Sequence, residues 1–109
     1  MSTSKYHAKR TQVDGLWFHS KGEAERWMML KLLEAAGEIG DLERQVRFRL
    51  EVNGVHICDY IADFIYIDHG RRVVEDFKGV RTTEYQIKKR LMKALLNIDI
   101  FETDRSDLT

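Results

Sequence analysis

The chain has no proline, a single cysteine and no net charge, its 18 Lys and Arg matching 18 Asp and Glu over 109 residues. The lone Cys58 excludes an intramolecular disulfide framework and fits a reducing compartment, so a cytoplasmic location is expected. No apolar run approaches the ~20 residues of a membrane span, and residues 1–10 lack the apolar core of a secretion signal. There is no glycine-rich phosphate loop and no serine-hydrolase elbow. His7, His19, His56 and His69 show no metal-ligand spacing, and His56-Ile57-Cys58 is too short for a zinc site. Without proline, element boundaries rest on glycines, caps and changes of hydrophobic period.

An apolar fraction of 43% and a charged fraction of 33% describe one ordinary globular domain with a single core. Its charge is unevenly spread. Residues 81–93 hold five cations and one acid, whereas residues 99–109 hold four acids and one base. Residues 1–10, with Lys5, Lys9 and Arg10, read as a loose basic arm, and residues 102–109 as a fraying acidic tail.

Asp14-Gly15 between Thr11-Gln12-Val13 and Leu16-Trp17-Phe18 predicts a tight hairpin. Ser20-Lys21-Gly22-Glu23 is a capping box that opens a helix over 21–36, with Gly37 past its end. Ala24, Trp27, Met28, Leu32, Ala35 and Ala36 would form its broad buried arc. Alternation over 45–52 predicts a half-exposed strand, and Asn53-Gly54 turns it into a strand over 55–67 that is apolar on both faces. A turn at Asp68-His69-Gly70 leads to a third strand over 71–78. A second helix over 84–96 follows, with Ile87, Leu91, Ala94 and Leu95 inward, and a last short strand over 99–101. Trp17, Trp27, Phe48, Phe64 and Tyr66 are expected in the core, with Cys58 as a buried small hydrophobe. The expected class is α/β, a mixed sheet flanked by two helices in the order hairpin-α-β-β-β-α-β.

Two acids are out of place. Asp63 lies inside Tyr60-Ile61-Ala62-Asp63-Phe64-Ile65-Tyr66, where an unpaired charge is costly. On the next strand, Val73-Val74-Glu75-Asp76-Phe77-Lys78-Gly79 alternates so that Asp76 and Lys78 share one face and Glu75 and Phe77 the other. Counting back from the turn sets Asp63 within about one residue of facing Asp76. Two carboxylates beside a lysine suit Mg²⁺, which prefers oxygen ligands. The polar face of the second helix, Gln86, Lys89, Arg90 and Lys93, is a candidate contact for DNA phosphates.

An acid on one strand and acid-x-Lys on the next, after a helix bearing Glu, resembles the PD-(D/E)XK nuclease superfamily and its restriction-endonuclease-like core. Val13 to Ala24, Asp41-Leu42-Glu43-Arg44-Gln45-Val46, Tyr60 to Phe64 and Asp76-Phe77-Lys78-Gly79 are similar to a small bacteriophage-encoded branch, long classed as a domain of unknown function. The likeness spans residues 5–101. It implies a metal-dependent endodeoxyribonuclease acting in phage DNA replication, recombination or processing, with Mg²⁺ as cofactor and Mn²⁺ as substitute. Glu23, Asp63, Asp76 and the carbonyl of Phe77 would then hold metal, and Lys78 would be the catalytic lysine. Glu25 competes with Glu23, since helical angles put Glu25 in the apolar arc, but the motif's local spacing favours Glu23. DNA would be the partner, and a homodimer would supply the two sites needed to cut both strands. Two other readings use the same residues: a non-catalytic DNA-binding module, and an interaction protein whose acids pair with Arg47, Arg49 or Arg71.

Overall fold

The computed structural model describes residues 10–108, so the expected basic arm lies outside the described residues apart from Arg10. A hairpin of β1 (Thr11–Val13) and β2 (Leu16–Phe18) leads into α1 (Lys21–Ala35). Three strands follow, β3 (Ile39–Val52), β4 (Val55–Asp68) and β5 (Arg71–Phe77). Then come α2 (Thr83–Leu96), β6 (Phe101–Thr103) and a 3₁₀ turn, η1 (Arg105–Leu108). The order matches the expected sequence of elements. The main sheet runs β3-β4-β5-β6; its first two pairings are antiparallel, and β6 joins β5 in parallel. That parallel pairing needs a crossover, which α2 provides.

Local chemistry sets these elements. Asp14-Gly15, Asn53-Gly54 and His69-Gly70 all close their hairpins with both residues at positive φ, the turn that matches strand twist. Ser20 caps α1 by accepting from the Glu23 N–H at 3.1 Å, and Thr82 caps α2 by accepting from the Tyr85 N–H at 3.1 Å. Gly37 and Glu38 then donate back to the carbonyls of Glu34 and Leu33, which ends α1 as its glycine predicted.

The sheet separates two apolar clusters. Leu50, Tyr60, Ala62, Val74, Tyr85 and Met92 pack on the α2 side. Phe18, Trp27, Leu30, Phe64 and Tyr66 pack on the α1 side. Along β4, the even-numbered side chains change cluster between Ala62 and Phe64, so Asp63 sits at the switch.

Several expected positions are corrected. The inward face of α1 is Glu23, Ala24, Arg26, Trp27 and Leu30, so Ala24 and Trp27 lie inward as expected, while Met28, Leu32, Ala35 and Ala36 are exposed, Leu32 to 72%. Apolar periodicity misses this face because two of its members, Glu23 and Arg26, are charged yet buried. In α2 the buried residues are Tyr85 and Met92, with Leu91 against them, and Ile87, Ala94 and Leu95 face outward. The tyrosine draws that side in, since its hydroxyl donates to Glu102. β3 begins six residues before the expected 45, at Ile39, and carries bulges between Gly40 and Glu43 and between Leu50 and Glu51. β6 starts at Phe101, not 99, because the chain first buries Ile100 in the core. Past it the acidic tail is ordered: the Asp104 carboxylate accepts from the Ser106 N–H at 2.9 Å and opens η1. Trp17 is 51% exposed, with the Arg10 guanidinium 4.8 Å from its ring centre, and Cys58 and Phe48 are only partly buried.

One buried ion pair ties α1 to the sheet. Arg26 donates through Nε and Nη2 to the two carboxylate oxygens of Glu75, at 2.7 and 3.0 Å. Tyr66 and Thr103 add hydroxyl donors at 2.6 and 2.8 Å, so the fully buried Glu75 is saturated with partners. Burial pulls the Arg26 guanidinium down, but the Glu75 hydrogen bonds and charge outweigh it and the net shift is upward. Arg26→Leu should therefore cost about 3–5 kcal/mol, because it strands the Glu75 carboxylate in the core. Urea unfolding checks this; a loss below about 1 kcal/mol would show that the pair is not what holds α1.

Candidate functional site

The pairing between β4 and β5 stops at Phe64 and Glu75. One position further, the Asp63 side chain takes over from the ladder: its Oδ2 accepts the Phe77 N–H at 2.9 Å. The carboxylate is thereby pinned between the strands, facing the Asp76 position that counting from the turn had assigned to it. Asp76 points to the α2 side, where the Tyr60 hydroxyl donates to Oδ2 and Lys78 Nζ lies 3.0 Å from Oδ1. Glu75 points to the α1 side and is consumed by Arg26. The alternation of faces thus selects Asp76 for the site, as expected.

Glu23 arrives from the first turn of α1 and is 3% exposed, whereas Glu25 is only partly buried. Its Oε1 accepts from the His19 N–H at 3.2 Å, one residue further back than a capping box requires. Close packing fixes the depth of this turn. A Cβ on Gly22 would lie 2.7 Å from Cε1 of Phe77, so only glycine lets α1 approach β5 this closely. Gln45, on β3, links the two groups. Its backbone is left-handed at φ 54, and its Nε2 lies 3.4 Å from both Glu23 Oε2 and Asp63 Oδ1. A non-glycine residue in that conformation mid-strand is strained, and strain of this kind concentrates at functional sites.

The sequence missed two members of this group. His19 has Nδ1 3.3 Å from Glu23 Oε1, and ligand atoms of His19, Glu23 and Asp63 lie within 4.8 Å of one another. The histidine comes from the β2–α1 junction and Asp63 from a strand 44 positions later, so no spacing rule finds them together. Gln45 lay in a segment that carries the resemblance but was given no role, as a neutral residue at the edge of an expected strand.

His19, Glu23, Asp63, Asp76 and Lys78 open onto one cleft of about 1070 Å³. Its acids disfavour one another's charge. Burial, then the charges of Asp76 and Glu23, then a hydrogen bond shared with Asp76 hold the Asp63 carboxyl well above the usual range, against the Phe77 N–H. Burial and the nearby Asp76 likewise push the Tyr60 hydroxyl up. Lys78 Nζ sits 3.5 Å from the centre of the Tyr85 ring, a second restraint beside Asp76. Carboxylate and carbonyl oxygens with an imidazole form a donor set suited to Mg²⁺ or Mn²⁺.

The structure does not bring the basic face of α2 to this cleft. Gln86, Lys89, Arg90 and Lys93 line a separate recess of about 440 Å³. Lys89 is 3.1 Å from Glu102 and Lys93 is 3.0 Å from Asp99. Burial pushes the Glu102 carboxyl up, but hydrogen bonds from Tyr85, Lys89 and Arg81 outweigh this and hold it at about 2. Nor do arginines neutralise the site acids: Arg47 pairs with Asp59 and Arg49 with Glu51.

Residues 3–101 match a family described as a protein of unknown function (DUF1064), and the chain belongs to that family. No curated protein matches the sequence.

The raised Asp63 group makes a signed prediction. Its folded pKa lies above the unfolded one, so the stability it lends is present below the unfolded value and lost as pH rises through the folded value. Asp63→Asn, which keeps an acceptor for Phe77, should raise the metal-free melting temperature at pH 8 by roughly 4–8 °C per kcal/mol of repulsion removed. The gain should shrink as pH falls toward 4. A variant that melts below wild type at pH 8 would contradict the assigned repulsion.

Proposed function

We propose that this member of the DUF1064 family is a metal-dependent endodeoxyribonuclease of PD-(D/E)XK type, hydrolysing DNA phosphodiester bonds. The observation that carries the reading is the convergence of Glu23, Asp63, Asp76 and Lys78 on one cleft, with the ionised form of Asp63 disfavoured by burial and by its acidic neighbours. An interaction protein with structurally paired acids would bury Asp63 against a cation; here its neighbours are two more acids, a glutamine and a main-chain N–H.

Glu23 and Asp63, with His19 beside them, would hold Mg²⁺ or Mn²⁺, and Asp76 and the Phe77 carbonyl complete the set that the resemblance implies. A divalent ion there would supply a water of lowered pKa and neutralise charge developing on the phosphate. The chain's own residues supply the order. Asp63 is fixed by the Phe77 N–H, Glu23 by His19 and by the close packing of Gly22 on Phe77, so the carboxylates are set before substrate arrives. Lys78, held between Asp76 and the Tyr85 ring, presents its ammonium where it can orient an attacking water or bind a nonbridging phosphate oxygen.

Labelled linear, nicked, flapped and four-way DNAs incubated with Mg²⁺ or Mn²⁺ test the reading. Wild type should cleave at least one of them. Asp76→Ala should abolish cleavage, and Lys78→Ala should slow turnover by about 10²–10³-fold. Binding without cleavage under all conditions would instead favour a non-catalytic DNA-binding module.

A further inference from the structure

We infer that the backbone phosphates of the nucleic acid are held by Lys21, Lys88 and Arg105 on the rim of the cleft, and not by the outward basic face of α2. This rests on the nuclease reading and names the binding surface of that same site. The three cations come from α1, α2 and η1, elements far apart in sequence, yet all line the cleft that has Glu23, Asp63 and Asp76 at its floor. None of the three has an ion-pair partner among the described residues. By contrast, Arg47 and Lys78, the other cations of the cleft, are paired with Asp59 and Asp76.

Helix geometry explains the division along α2. Glu84, Tyr85 and Lys88 lie on the side of the helix that faces the cleft, and Gln86, Lys89, Arg90 and Lys93 lie on the one that faces Ile98, Asp99 and Ile100. Lys89 and Lys93 are committed to Glu102 and Asp99, so a phosphate would have to displace a carboxylate from each. Arg105 is brought to the rim because Asp104 folds the chain into η1, and η1 packs against α1. Residues that read as a fraying acidic tail therefore supply a rim cation.

Charge balance adds a condition. With the internal pairs set aside and every carboxylate counted as ionised, Lys21, Lys88 and Arg105 face Glu23, Asp63 and Glu84, so the formal charges of the metal-free cleft balance. A divalent cation on the floor makes it positive. Binding of a polyanion should therefore depend on the metal as well as on the rim.

Fluorescence anisotropy of a labelled duplex, measured in Ca²⁺ at several salt concentrations and again in chelator, tests this. Wild type should bind more tightly in Ca²⁺ than in chelator. Lys88→Gln with Arg105→Gln should reduce the slope of log affinity against log salt by roughly 1.8, about 0.9 for each phosphate no longer neutralised, and Lys21→Gln alone by about 0.9. Lys89→Gln with Lys93→Gln should leave the slope unchanged. A slope that falls for the Lys89 and Lys93 pair, or stays fixed for the rim variants, would overturn the assignment, as would an absence of DNA binding in Ca²⁺. The nuclease reading fails separately, through absence of Asp76-dependent cleavage in Mn²⁺ by the wild-type chain.

Discussion

Everything at the candidate site depends on where β4 and β5 stop pairing. Had the ladder continued past Phe64 and Glu75, the Phe77 N–H would bond a backbone carbonyl and Asp63 would be free to swing outward. Because it stops, the side chain of Asp63 substitutes for the missing partner. A carboxylate that completes a sheet cannot leave without orphaning a main-chain donor, a cost of about 1–3 kcal/mol. That bond keeps Asp63 beside Asp76 and Glu23 despite their mutual repulsion. The rest of the domain offsets the cost: the Arg26–Glu75 pair anchors α1 on the opposite face, and Gly22 lets the same helix descend until Glu23 reaches Asp63.

β5 is thus a divided strand. Glu75 serves stability on the α1 side, saturated by four hydrogen bonds from Arg26, Tyr66 and Thr103. Asp76, the next residue, faces the cleft with a phenol and an ammonium. Adjacent acids with opposite duties follow directly from the two-residue period of a strand. The same period explains why one change of cluster along β4, between Ala62 and Phe64, falls at Asp63: there the strand passes from packing under α2 to packing under α1.

Much of this was legible in the amino acids. The three hairpin turns, the Ser20 N-cap, the end of α1 and the facing of Asp63 and Asp76 follow from short-range rules, and all depend on residues close together along the chain. What misled was periodicity counted on apolar residues alone. It turned α1 toward Leu32 because Arg26 and Glu23 were scored as polar, though Arg26 pairs with the buried Glu75 and Glu23 accepts from the His19 N–H. It turned α2 toward Ile87 because Tyr85 and Met92 are separated by two turns rather than one. His19 and Gln45 were invisible for a different reason: their relevance is a matter of long-range proximity, and Gln45 declares itself only through a backbone conformation. Lys89 and Lys93 looked free because their acids, Glu102 and Asp99, lie in a segment that no local rule folds back onto the helix.

A nuclease of this design requires that the acids of the cleft form a divalent-cation site. Calorimetric titration of Mn²⁺ into the intact chain at neutral pH measures this without DNA or turnover. Wild type should show one saturable site, and Glu23→Gln with Asp63→Asn should remove its heat while the fold, followed by circular dichroism, is retained. Equal heats from wild type and this double variant, or no heat from either, would contradict a metal centre built from these carboxylates.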